Sequence, residues 1–508
     1  MKKKFITFAL VAVLASLTGC GGTGGSEGGK PGDSIQDSIE TGDDGKIVFK
    51  DVELSFWHPI TGSDYTNLSF MINQFNKEYE GRIHVTDTQG SNDQTVYYNN
   101  FELSCSRNRG PDVAIIHNNK VLTYSGKKIS AGKHKGEPQY LTPIQPLIDK
   151  ANEKRENIKI KSDMYIKGAW DNLNVNDHLW GVPFDVHTAG IFYNKAMMEK
   201  YDIAVPTNRA ELIAACQKVQ KASGTDANGN PKIWGMPMSY ASLPQQFMAN
   251  TSYIQNGGKP VLKAGDKGFD ENLKFKTSDG RELTISSQPG FMVDNVGAKS
   301  TRMVSDLIYK DKISNHSVGL DANLTAFKNE TALFCIDGLW NTNEFKDQFG
   351  PDGFGVIPLS GMFASDPTSK DANKIYCISH DFVIPRGNKL ARGSLIHGEA
   401  ALEFIKWMGE HSIEWAKSGQ IPAYNAVRET QEYKDLKFNE QFGEPSNFVI
   451  AQADPYYEQA YGPFQKCSTA AMSSEKDLTD AELQETLDLL HTECISSLKT
   501  ALKQNTIA

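Results

Sequence analysis

Residues 180–195 read WGVPFDVHTAGIFYNK. Val182, Phe184, Val186, Ile191, Phe192 and Tyr193 give the stretch the apolar mass of an extended segment entering a core. Asp185 and His187 interrupt it. Side chains alternate along a strand, so both point away from the face that carries Phe184 and Val186. An unpartnered charge or imidazole buried there costs several kcal/mol, comparable to what a core side chain contributes. The two groups therefore face water or are met by something polar.

The N-terminus sets the compartment. Lys2, Lys3 and Lys4 form a basic region, and Phe5 to Leu17 is an apolar run of 13 residues. Spanning a bilayer takes about 20 helical residues, so the run reads as the core of a secretory signal. Leu17-Thr18-Gly19-Cys20 then resembles the bacterial lipobox. That resemblance implies cleavage before Cys20 and a lipid on its sulfur. Residues 1–19 are read as the signal and 20–46 as a tether, rich in Gly, Ser and Asp and nearly free of apolar side chains. Two acyl chains would hold the protein at the outward face of a bacterial cell membrane.

At 508 residues the chain exceeds a single hydrophobic core and should form two lobes. A net charge of -9 with no basic run argues against nucleic acid or anionic lipid as ligand. Beyond Cys20 there are six cysteines: Cys105, Cys216, Cys335, Cys377, Cys467 and Cys494. Cys216 shares a stripe with Leu212 and Val219, and Cys494 one with Leu487, Leu490 and Leu498, so both read as small core residues. A disulfide is permitted outside the cell, but spacing pairs none. The GxGxxG and GxSxG matches at Gly19–Gly24 and Gly24–Gly28 lie in the tether, with no strand before them and no helix after. His491 and Cys494 lack a second ligand pair, and Asp226–Asn230 reads as a turn rather than a calcium loop. Neither a metal nor a cofactor is expected, and no assembled nucleophile and base marks an enzyme.

Strand and helix signals alternate. Val52–Trp57, Ile83–Thr86, Asp112–Ile116, Ile233–Met238, Ala332–Ile336 and Phe382–Ile384 read as strands. Ser63 or Asp64 caps a helix carrying Leu68, Met71, Ile72 and Phe75, and further helices fall around Leu212–Val219 and Glu399–Met408. The alternation predicts an α/β fold with parallel strands and a ligand at their carboxyl ends.

A series of patches then appears in order: Phe56-Trp57-His58, Gly110-Pro111-Asp112-Val113, Gly181-Val182-Pro183 leading to Tyr193-Asn194-Lys195, Pro206-Thr207, Phe327-Lys328-Asn329 with Gly338-Leu339-Trp340, and Gly419-Gln420-Ile421-Pro422-Ala423. Through them the chain resembles, from residue 51 to 465, the extracellular solute-binding proteins that feed sugar-type ABC importers. The resemblance implies a two-lobed periplasmic-binding-protein-like fold of class II, with ligand in the interlobe cleft. Residues 47–186 and 377–421 would form lobe one, 187–376 and 422–508 lobe two. The stretches 124–140, 259–290, 361–375 and the end beyond 467 look long for the family and read as surface elaborations.

The same resemblance makes the opening stretch the first crossover between lobes. Asp185 and His187 would line the cleft, His187 at a position where the family places a ligand-contacting polar side chain and Trp340 where it places a stacking aromatic. His58, Asp64, Asn118 (favoured over His117), Tyr240, Gln246, Asp381 (with His380) and Tyr457 complete the expected set. Trp57 reads as lobe core. The implied function is a monomeric, lipid-anchored binder of a mono- or oligosaccharide that serves ABC permease subunits. A glycerol-3-phosphate or glycerophosphodiester binder is the alternative, because Phe56-Trp57-His58 and Gly62 are similar to that branch. An enzyme or adhesin on the same anchor is a third class.

Overall fold

The computed structural model describes residues 41–505, apart from 43–46, 91–92, 130–134, 155–157, 240–241, 278, 316–321, 388–393, 437–441, 443–444 and 452–453. The signal, Cys20, most of the tether and Tyr240 lie outside the described residues. Among those described, no helix is long and apolar enough to cross a membrane.

The first sheet starts as the sequence predicts. β1 (Val52–His58) lies between β2 (Ile83–Gln89) and β3 (Val113–His117), both parallel to it. Asp112 fixes that register: its carboxylate accepts the backbone N–H and the hydroxyl of Ser55, each at 2.9 Å. Helix α1 (Gly62–Glu78) joins β1 to β2 and buries Leu68, Met71, Ile72 and Phe75, the stripe legible in the sequence. Helix α2 (Gln94–Ser106) joins β2 to β3, with the Asp93 side chain accepting from Thr95 N–H at 2.8 Å at its start.

The sheet is not wholly parallel, contrary to the alternation argument. Strand His380–Pro385 runs antiparallel to β3, and Leu141–Thr142 and Val182–Pro183 pair antiparallel with it. The chain reaches this strand only after building the second lobe, not through a local helical crossover, so neighbouring elements do not dictate its direction. A Cβ on Gly181 would lie 2.7 Å from the carbonyl oxygen of Phe382, so this strand contact admits only glycine.

The second sheet is antiparallel throughout. Ala189–Asn194 lies between Phe334–Gly338 and Phe354–Pro358, and every residue of the first two strands is buried. Asn194 ends its strand by capping the next helix, accepting from Met197 N–H at 3.0 Å. The expected strand at 233–238 does not form. Pro237 has no N–H to give a ladder and a Cβ on Gly235 would meet Cys216 at 2.3 Å, so the segment makes only a bridge from Trp234 to Ala332. Asp226 does form a turn, its carboxylate accepting from the N–H groups of Asn228 at 2.8 Å and Asn230 at 2.9 Å.

Two principal cores result. One draws on residues between Phe49 and Phe184 and between Phe382 and Ala423, the other on residues between Ala189 and Ile378 and between Ala451 and Leu502. A smaller cluster includes Val186, Cys335, Cys377 and Ile421. The end beyond 467 is not a surface elaboration: Met472, Leu483, Leu487, Cys494 and Leu498 are buried, most of them in the second core. All six cysteines described are buried free thiols. The passages between cores are tied to one another. Asp185 and Val186 pair with Pro422 and Ile421, and His187 bridges to Ile378.

Candidate functional site

A cavity of about 380 Å³ opens between the elements that surround these passages. Several structural units supply its walls. The turn after β1 and the first residues of α1 give Pro59 to Asp64; the ends of β3 and of the antiparallel return strand give His117 and His380; the crossover gives His187; and residues after Phe334–Gly338 give Trp340 and Asn341. Ser242, Leu243 and Pro244, at the start of helix Leu243–Gln255, close another side. Gln94, Asn323, Asp337 and Gln420 complete the polar lining.

Asp185 is the structural centre of the floor. It is fully buried and accepts four hydrogen bonds: His187 Nδ1 at 2.9 Å, His380 Nδ1 at 2.8 Å, the His380 backbone N–H at 3.1 Å and Trp415 Nε1 at 2.7 Å. Burial pushes this carboxyl up, but His380 and His187 outweigh burial and hold it well below the usual carboxylate range. It therefore stays an anion, which places protons on Nδ1 of both rings. Burial and the adjacent His380 hold His187 down at about 4. Burial, followed by the His380 and His187 rings, likewise keeps His117 well below its ordinary value. His117 Nδ1 lies 2.5 Å from the Tyr98 hydroxyl, which also accepts the His117 backbone N–H at 3.1 Å. The His117 and His380 Cα atoms are register partners, which sets their rings 4.6 Å apart, and His187 stacks on His380 at 4.2 Å.

The opposite side carries the aromatic. Trp340 meets His187 edge to face at 5.9 Å and Phe247 at 5.9 Å, and it remains partly exposed. Asp337 accepts from Gly338 N–H at 2.7 Å and Asn341 Nδ2 at 2.8 Å, which holds the turn bearing Trp340. Asp64 accepts from Gln420 Nε2 at 2.7 Å, while its second oxygen is buried with no hydrogen-bond partner among the described residues. Burial pushes the Asp64 carboxyl up to about 8, so at neutral pH it carries its proton and can donate.

Of the residues singled out from sequence, Asp64, His187 and Trp340 reach the cavity wall. Asp185 lies behind the wall and orients it. Asn118 is buried, accepting from Ser379 N–H at 3.3 Å and joining two strand ends. Asp381 is buried with Ser379 Oγ at 2.9 Å, and burial holds its carboxyl well above the ordinary value. His58 is buried beneath α1, 3.3 Å from Asp87 and stacked on Tyr65 at 5.5 Å. Gln246 is half-buried off the lining, and Tyr457 is buried 3.3 Å from the Tyr376 hydroxyl. His117, rather than the favoured Asn118, faces the cavity, and of the pair His380 and Asp381 it is His380 that does. Gln420 carries a signal in the sequence, since it lies directly after Gly419 in one of the matched patches. Nothing local marks Asn323.

Solved structures share this architecture at low identity. A solute-binding protein of Thermotoga lettingae bound with α-D-tagatose has a TM-score of 0.63 at 17% identity, covering 88% of this chain and 100% of that one. The GacH receptor of Streptomyces glaucescens, solved unliganded and with acarbose, has 0.63 at 16%, covering 89% and 98%. The Thermus thermophilus maltotriose-binding protein with maltotriose has 0.58 at 15%, covering 88% and 100%. These likenesses establish the two-lobed fold. No curated protein matches the sequence. The model of the bacterial extracellular solute-binding protein family matches residues 61–413, and the chain belongs to that family.

Proposed function

We propose that this protein captures a neutral mono- or oligosaccharide in the cavity and delivers it to the permease of an ABC importer. The cavity lining carries the reading. It sets Trp340 among Asp64, Asn323, Asp337 and Gln420, and among the described residues it holds no lysine or arginine. Carboxyls and amides suit the hydroxyls of a pyranose, and an indole ring suits its C–H face. A phosphate dianion in such a place is best met by the charged forks of arginine or by lysine, and neither is among the lining residues described. The sugar ligands named for structures of the same fold support the same reading.

In this reading Asp64, His187 and Trp340 contact solute directly, and Asp185 orients His187 from behind. The lobes, 47–186 with 377–421 and 187–376 with 422–508, close on the solute about the paired passages. The protein acts as a binder rather than a catalyst, as a monomer, held to the membrane through Cys20. A Cys20→Ala protein should be shed or left unprocessed, and normal cleavage with membrane retention in cell fractions would refute the anchor.

One observation favours the alternative. The N-terminus of α1, from Thr61 to Asp64, borders the cavity, and helix N-termini receive anions. A thermal-shift panel of sugars, oligosaccharides and glycerol phosphates separates the two. Ligand at about 100 times its Kd should add about 2.7 kcal/mol of stability. A shift with glycerol phosphates and with no sugar would replace the sugar reading by the phosphate one.

A further inference from the structure

We propose that His117, His187 and His380 form a three-histidine site for a divalent transition-metal ion of the zinc class, with its open coordination position facing the cavity. One ring nitrogen from each of the three lies within 4.8 Å of one from the other two, and all three residues are buried. Zinc binds imidazole nitrogen at about 2.0–2.1 Å in tetrahedral geometry, so its ligand nitrogens sit about 3.4 Å apart. A contraction of roughly 1.4 Å at most brings the rings to that spacing.

Three features set this cluster apart from imidazoles that merely fill a core. The first is the outer layer. Both His187 and His380 give Nδ1 to the Asp185 carboxylate, and His117 Nδ1 meets Tyr98. A carboxylate or oxygen partner on Nδ1 is how metal-binding histidines are oriented; with the ion bound, each ring carries its proton on Nδ1 and offers Nε2. The second is convergence from rigid elements. His117 ends β3, His380 begins the strand in register with it, and His187 is tied by its backbone to Ile378 at 2.9 and 3.1 Å. The third is access, because all three line the cavity and the ion could exchange and take an exogenous fourth ligand. Three nitrogen donors with no thiolate suit zinc, cobalt, nickel or copper rather than calcium or magnesium. The site does not depend on the solute being a sugar; a solute oxygen or water fits the fourth position equally, and with the ion bound His187 meets the solute through it rather than directly.

Purified protein stripped with a chelator and dialysed is titrated with zinc chloride in a calorimeter. One ion per chain should bind. His117→Gln and His380→Gln should each weaken binding at least ~100-fold, and Tyr98→Phe about 10-fold, as loss of an outer partner does. His178→Gln, at an exposed histidine, should change nothing. Cobalt should give the intense visible spectrum of a four-coordinate ion, and X-ray absorption at the zinc edge should count three imidazoles, which needs no variant to fold. Absence of zinc and cobalt binding overturns the proposal. So does binding that survives both glutamine substitutions, or an absorption spectrum without imidazole.

Discussion

Asp64→Asn should make the protein progressively more stable than wild type as pH rises. The carboxyl is buried, 6% exposed, and its acid constant is pushed up to about 8. In the unfolded chain an aspartate titrates near about 3.9. Between those values the folded state keeps a proton that the unfolded chain has lost. Stability therefore falls with rising pH, by about 1.4 kcal/mol for each unit, and levels off once the folded carboxyl ionises. From pH 5 to pH 7 the loss is about 2.7 kcal/mol. The amide introduced by the substitution would keep an oxygen for Gln420 Nε2 and carry no charge, so the variant escapes the loss. Asp185 adds to the shift, but it stays ionised across the interval and contributes a constant. The assay is urea unfolding followed by tryptophan fluorescence at pH 5, 6 and 7 in chelator, with the two proteins compared at each pH. The difference should open in favour of the variant by about 2.7 kcal/mol between the ends. Parallel stability curves would refute the argument, since they would mean that water reaches this carboxyl in the folded state.

Trp340→Ala should weaken sugar binding by on the order of 2 kcal/mol in calorimetry, and Trp57→Phe, on the first core, much less. Equal small effects would return Trp340 to a packing role. Solute at saturation should lower the radius of gyration in solution scattering, and an unchanged profile would count against closure of the lobes.

The first half of the lobe-one sheet was legible because β1 to β3 are separated by one helix each. The apolar stripe of α1 and the buried run before His117 are local signals, and local connections fix the direction of the strands. The strands Phe382–Ile384 and Ala332–Ile336 were legible as strands, but their antiparallel pairing was not, since their partners lie far along the chain. Side-chain choice at strand ends failed for a related reason. His117 and Asn118 are adjacent, and so are His380 and Asp381, and a pleat turns neighbours to opposite sides. Which of each pair meets the cavity depends on the register His380 to His117, and no spacing within either segment encodes it. Separations of 70 and 193 residues hid the imidazole cluster for the same reason. The Asp185-to-His187 spacing was visible, and it did announce that something polar had to be met.

The passages between lobes are paired with one another, Val186 with Ile421 and His187 with Ile378. Mechanically they behave as a laminated leaf and not as separate strings. A ribbon of laddered backbone flexes across its face at low cost, but twisting it or sliding one ply past the next breaks hydrogen bonds. If the lobes close on a solute as proposed, their relative motion is thereby channelled into a single bending coordinate. The stiffness of that coordinate is set partly by residues such as Pro422, which is not part of the cavity lining. Release rates of the solute can in this way be tuned without altering a single contact made to it.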